Sequence, residues 1–128
     1  MTEGLELKIF EDGAAGVVDY TGQSTTVRVP DSYQGRPVRY IAGDAFVDRE
    51  IQLLLLPRSI AMIGDYEPGY PGEAPVRLAG LGGKAVYVVC EAGCGMSRRL
   101  VMEPSFQVEL VERLDAWLEQ NPQKAVAK

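Results

Sequence analysis

Histidine is absent from the 128 residues. That removes the most frequent general base, the Ser-His-Asp and Cys-His arrangements, and the commonest metal ligand. Cysteine is nearly absent, with only Cys90 and Cys94. Two cysteines do not make a disulfide scaffold, their spacing is not that of a C-x-x-C redox motif, and a structural zinc site needs four ligands. Long apolar runs are missing too. Ile51 to Leu56 is interrupted by Gln52 and is far shorter than the roughly 18 apolar residues of a membrane-spanning helix. Basic charge is scarce, since 13 Lys and Arg face 18 Asp and Glu for a net charge of −5. Neither a nucleic-acid backbone nor an anionic lipid surface suits such a chain, so no nucleic acid and no membrane is expected as partner. The N-terminus has no basic n-region and no apolar h-region, so the chain as written is expected in the cytoplasm, and secreted or at the cell surface if an export signal precedes this sequence.

What remains is ordinary globular material, 46% hydrophobic and 24% charged. The length suits one domain over residues 1–128. Leu5, Leu7 and Ile9 alternate with Glu6, Lys8 and Phe10, which predicts a strand with one buried face. Asp12-Gly13 is a turn pair, Gly16 to Tyr20 a second strand, and Thr25 to Val29 a third, closed by Pro30. Residues 1–30 are thus expected to form a three-stranded antiparallel meander that caps the fold. Short apolar segments follow at Val38 to Ile41, Ile51 to Leu56 and Ile60 to Ile63. Prolines at 68, 71 and 75 mark a loop region over 67–84, and a strand is expected within 85–94. Past Pro104 the apolar residues Phe106, Leu110, Val111, Leu114, Trp117 and Leu118 share one helical face. That predicts an amphipathic helix over 104–121, with Ser105 as N-cap and Asn121-Pro122 as its stop.

The chain echoes itself. Val27-Arg-Val-Pro30-Asp31-Ser32 aligns with Leu54-Leu-Leu-Pro57-Arg58-Ser59, and Val38-Arg-Tyr-Ile41 aligns with Ile60-Ala-Met-Ile63. Ile41 and Ile63 stand 22 residues apart, inside the range of about 20–29 for leucine-rich repeats. The residues resemble a particular kind. Asp19-Tyr-Thr-Gly followed by Val27-Arg-Val-Pro30, Gly35-Arg-Pro-Val38 and Ile41-Ala-Gly-Asp-Ala-Phe46 is similar to the opening of BspA-type leucine-rich-repeat proteins. Leu54 to Tyr66 looks like the next coil, and Val86 to Cys94 resembles the closing strand. The pattern departs from the family after Tyr66, where Glu67-Pro68 replaces the Ala-Phe pair, so about two coils are expected. The resemblance implies an α+β fold with a short leucine-rich-repeat-like β core at 31–66, and a non-catalytic module that binds a protein partner.

The chemical candidates are few. Gly80-Leu-Gly-Gly-Lys84 lacks the spacing of a phosphate loop and the helix that should follow it. Glu109 and Glu112 fall on the polar face of the expected helix, where solvation accounts for them. A thiol-dependent enzyme or metal protein using Cys90 and Cys94 stands as the alternative function, and a self-assembling structural subunit as another. No cofactor, metal ligand or catalytic residue is expected. The partner-binding candidates are Tyr66 and Tyr70, aromatic side chains beside the prolines of the long loop. The strand at Leu53 to Leu56 is apolar on both faces. Its second face needs Leu110, Leu114, Trp117 and Leu118 of the same chain, or else a symmetric homodimer.

Overall fold

The computed structural model describes residues 3–47, 49–64, 86–95 and 106–122. Strands dominate. Among the described residues they are, in chain order, β1 (Leu5–Ile9), β2 (Ala15–Tyr20), β3 (Thr26–Arg28), β4 (Ser32–Tyr33), β5 (Arg36–Ile41), β6 (Leu53–Leu56), β7 (Met62–Ile63), β8 (Val86–Glu91) and β9 (Phe106–Val111), followed by a short helix, α1 (Leu114–Gln120).

The strands form two sheets wound together. One places β2, β5 and β7 side by side in parallel, with β1 added antiparallel at the β2 edge and β4 folded back on β5. The other is parallel throughout, in the order β3-β6-β8-β9. The chain passes from one sheet to the other and back, so each passage is a coil laid on the one before it. Side chains in register make ladders through the stack. Val17, Ile41 and Ile63 form one, and Val27, Leu54 and Val88 another, all at most 1% exposed, with Val108 continuing the second at the far end. The echoes seen in the sequence are the register itself, because Val27 pairs with Leu54 and Ile41 with Ile63. An inward residue at the same point of each coil is what a stack of coils needs to bury a continuous core.

Residues singled out by the repeat lie inside. Tyr20 and Phe46 meet edge to face with ring centres 5.8 Å apart, and the Tyr20 hydroxyl donates to the Ser24 carbonyl at 2.9 Å. Edge-to-face contact suits the ring quadrupoles, and the hydrogen bond satisfies the one polar atom that burial would strand. The hairpin between β4 and β5 turns on Gln34 and Gly35, both with positive φ, as a two-residue hairpin loop requires.

Four expectations need correction. The N-terminal meander is only a hairpin, β1 with β2. Both edges of β2 are occupied, by β1 and β5, so β3 pairs instead with β6 in the other sheet. The helix expected over 104–121 is a strand from Phe106 to Val111 and a helix only from Leu114 to Gln120. The run Phe-Gln-Val-Glu-Leu-Val satisfies a period of two as well as one of 3.6, and the edge of β8 offers backbone donors and acceptors that a strand can use and a helix cannot. In consequence β8 does not close its sheet, since β9 lies beyond it. The stack also has more rungs than two coils, with four strands in one sheet and three parallel ones in the other.

The apolar cover for β6 comes from the same chain. Leu53, Leu55 and Val89 on the outer face of the parallel sheet pack with Leu114 and Trp117 of α1, joined by Tyr87, Val111 and Leu118. Leu110 takes no part in this. It pairs with Cys90 from β9, on the side of the sheet away from α1, and is 59% exposed.

Candidate functional site

The residues proposed from sequence as partner-binding, Tyr66 and Tyr70, lie outside the described residues, as does most of the proline-rich loop. Among the described residues a cleft lies where the parallel strands end and α1 begins. Its volume is about 340 Å³, and it is lined by Arg28, Val29, Pro30, Asp31, Pro57, Glu91, Leu114 and Asp115.

Each lining residue is placed by a local rule. Val27 and Val29 point inward, so Arg28 between them points out. Pro30 and Pro57 follow β3 and β6 at equivalent points of successive coils, and a proline ends pairing because it has no N–H. Glu91 is the last residue of β8, and Leu114 and Asp115 open α1. The helix has no side-chain cap from its own N-cap residue, Arg113. Glu91 serves instead. Its Oε2 accepts the Leu114 backbone N–H at 3.0 Å, while Oε1 accepts the Arg58 side-chain Nε–H at 3.0 Å and the Arg58 backbone N–H at 3.3 Å. A carboxylate at this point satisfies an N–H that the helix leaves open and meets the positive end of its dipole.

The charges follow from these contacts. Burial works against ionisation of Glu91, but the bonds from Leu114 and Arg58 outweigh it and hold its pKa below the ordinary range. Asp115 is lowered by its hydrogen bond and charge contact with Arg28, whose guanidinium lies 2.6 Å away. In the lining Arg28 stands with Asp31, Glu91 and Asp115, while the Arg58 guanidinium is bonded to Glu91 and the Arg113 charge acts on Asp115, so guanidiniums balance the carboxylates.

A second polar node joins α1 to the sheet. Glu109 of β9 accepts the Tyr87 hydroxyl with one oxygen and the Trp117 indole N–H, at 3.0 Å, with the other. The bond to Glu109, helped by burial and by the negative charge, pushes the Tyr87 phenol up. A third lies on the other sheet, where the Tyr40 hydroxyl donates to Asp12 and the Phe10 ring stands edge-on to Tyr40 at 5.4 Å. The Tyr40 bond is the main reason that Asp12 titrates low.

Cys90 and Cys94 are both free and both buried in the main core. Cys94 Sγ donates to the Ile60 carbonyl at 3.6 Å. Contact with Cys94 and burial together push the Cys90 thiol far up, away from the thiolate that nucleophilic or metal chemistry needs. Among the described residues no three His, Cys, Asp or Glu side chains gather as a metal site. In each of these groups the shift matches pairing or burial, not a poised acid, base or nucleophile.

Part of the cleft was visible in the sequence. The alignment of Pro30-Asp31 with Pro57-Arg58 places opposite charges at the same point of adjacent coils. Glu91 and Asp115 carried no such signal, because neither belongs to the echo.

No family model matches the chain, and no curated protein matches it. Among solved structures, the leucine-rich-repeat protein TpLRR of T. pallidum is similar at 19% identity and a TM-score of 0.47, over 78% of this chain and 47% of that one. The chain therefore spans about half the length of that protein.

Proposed function

We propose that the chain is a non-catalytic protein-interaction module of leucine-rich-repeat type. The observation that carries this reading is the ladder of Val27, Leu54, Val88 and Val108 through four parallel strands. Such a stack is a rigid frame from which turns and loops project, and this is how repeat folds build binding surfaces. The order of the BspA-type motifs in the sequence supports it, as does the burial of their apolar positions in the stack. The thiol-enzyme alternative has the opposite support, since both sulfurs are buried and Cys90 is held as the thiol.

The partner is a protein, met in the cytoplasm, and the loop carrying Tyr66 and Tyr70 contributes to the contact. The chain acts as a monomer, because α1 covers the outer face of its own sheet and removes the reason for a homodimer. Affinity capture from the native cell with mass spectrometry identifies the partner. Alanine at Tyr66 and Tyr70 then weakens binding severalfold and leaves the melting temperature nearly unchanged. Lost stability with unchanged binding would assign the loop to packing. Light scattering across a dilution series returns a constant monomer mass, and a mass that rises with concentration argues for self-assembly.

A further inference from the structure

We propose that the outer edge of β9 takes an added β-strand from a partner protein, an extended segment in which a basic residue stands between two apolar ones. This deepens the interaction-module reading and rests on it. The two edges of the parallel sheet are finished differently. The Val29 N–H bonds to the Leu55 carbonyl and the Leu53 N–H to the Thr25 carbonyl. Thr25, Val27 and Val29 thus turn their backbone groups toward β6, and Thr26 turns its own away. The Ser24 hydroxyl closes that edge, accepting the Thr26 N–H at 3.0 Å and donating to the Thr26 carbonyl at 2.7 Å. At the other edge the Val111 carbonyl accepts the Ala92 N–H at 2.7 Å, so Glu109 and Val111 face β8 while Val108 and Leu110 direct N–H and C=O outward. Among the described residues no strand pairs with that side of β9. Such an edge is a template for another chain, and strand addition is a recurring mode of peptide recognition.

The side chains of β9 set which strand fits. On the inner face the ladder of Leu56 and Cys90 ends at the exposed Leu110, and that of Val27, Leu54 and Val88 ends at the half-buried Val108. Glu109 lies between them on the outer face. Its two bonds come from neutral donors, the Tyr87 hydroxyl and the Trp117 indole. The ion pairs Arg28–Asp115 and Arg58–Glu91 do not involve it. Arg28 shares its line of register but stands three strand spacings away, about 14 Å at roughly 4.8 Å per strand. An added strand alternates as β9 does, so apolar residues beside Val108 and Leu110 put the residue between them beside Glu109, where a cation meets a carboxylate. The sheet already holds a segment of this kind at its other edge, with Val27 and Val29 in the core and Arg28 turned out against Asp115. The β9 of a second copy fits worse, because it brings Glu109 and Glu112 of both chains to one seam.

The test is amide NMR of the intact chain titrated with the peptide acetyl-Thr-Val-Arg-Val-Thr-amide. One comparison peptide carries glutamate in place of arginine. Two others are N-methylated on alternate residues, one on both valines and one on the arginine and the last threonine. The arginine peptide is expected to move the amides of Phe106, Val108, Glu109 and Leu110, with a dissociation constant on the order of 1 mM. The glutamate peptide binds about tenfold more weakly. One methylated form loses binding and the other keeps it, because an added strand bonds through one of its two edges. Leu110→Lys weakens binding about tenfold and leaves the melting temperature near that of the wild type, since a lysine blunts an edge and the side chain is exposed. Equal binding of the glutamate peptide, equal affinities of the two methylated forms, or an unchanged response in Leu110→Lys would overturn the proposal. So would Val108 and Leu110 amides already protected from exchange in the isolated chain, which would put another part of the same chain on the edge. Shifts of these amides with chain concentration alone would put a second copy there, and overturn it too. Failure of the Tyr66 and Tyr70 variants to weaken a captured partner bears on the interaction reading. Failure of the peptide titration bears on the β9 edge alone.

Discussion

The Trp117 indole N–H and the Glu109 carboxylate are hydrogen-bonded at 3.0 Å across the junction between the helix and the last strand. Trp117 is 6% exposed and packs on Leu53, Leu55 and Val89, so one side chain both fills the outer apolar cluster and ties the helix to β9. Trp117→Ala is expected to cost about 3–5 kcal/mol, the usual range for emptying a tryptophan site. Trp117→Asp should unfold the chain, because it leaves a charge among leucines. Glu109→Ala is expected to cost about 1–3 kcal/mol, since the Tyr87 hydroxyl and the indole N–H both lose their acceptor. Urea titrations of Trp117→Phe, Glu109→Ala and their combination should show costs that do not add. Strict additivity would mean that the bond contributes nothing.

Acid should weaken the helix docking through Glu91. Its carboxyl titrates lower in the folded chain than the value near 4.5 it has when unfolded. Its contribution is therefore complete above that value and is lost as the pH falls through the folded pKa. Glu91→Gln removes this dependence and lowers stability at neutral pH. Alkali acts through Tyr87 with the opposite sign. Its folded pKa is raised above about 10, so its contribution is complete below that value and fades as the pH climbs through the folded pKa. Circular dichroism melts across pH, with Glu91→Gln and Tyr87→Phe, check both limbs. A Glu91→Gln protein with the wild-type acid profile would contradict the first.

Gly16 is required by what lies over it. A Cβ there would come within 2.6 Å of the Phe10 ring, 2.9 Å of Tyr40 Cβ and 3.1 Å of the Tyr40 carbonyl oxygen. The Phe10 ring can swing aside, but the Tyr40 atoms belong to the paired strand β5 and cannot. Gly16→Ala is expected to cost about 1–3 kcal/mol, in the range of overpacking. Phe10→Ala in the same chain should recover only part of that loss. Full recovery in a denaturation experiment would place the whole conflict on the ring.

The two cysteines should behave as core residues. Cys90 is fully buried and Cys94 is 4% exposed, so a thiol reagent meets them only when the chain opens. Labelling by an aromatic disulfide reagent is expected to follow unfolding across a urea series, with both thiols reacting together. One thiol that reacts quickly in the native protein would revive the thiol-chemistry alternative.

The coil register was legible in the amino-acid sequence because similar segments recur, Val27 with Leu54 and Ile41 with Ile63, and stacking demands repetition. The need to cover both faces of Leu53 to Leu56 was legible from its apolar run, and Trp117 meets it. The strand at Phe106 to Val111 was not legible. Its residues fit either period, and the choice fell to the open edge of β8, more than a dozen residues earlier in the chain. The corner after Tyr20 was hidden for a similar reason, since nothing local says that both edges of β2 are already occupied. Tyr66 and Tyr70, the partner-binding candidates read from the sequence, lie outside the described residues, and the described structure adds a cleft that local pattern could not assemble.

By itself, then, the sequence determined the parts that depend on neighbours along the chain. These are the alternation that makes strands, the turn residues between them, the spacing of the echoes, and the absence of histidine. Tertiary structure decided everything that depends on which backbone edge is free and which distant groups meet. Glu91 caps a helix that starts 23 residues later, and Arg28 reaches Asp115 across 87 residues. Such pairs carry no periodic signal, because a hydrogen bond or ion pair constrains distance in space and is indifferent to separation in sequence.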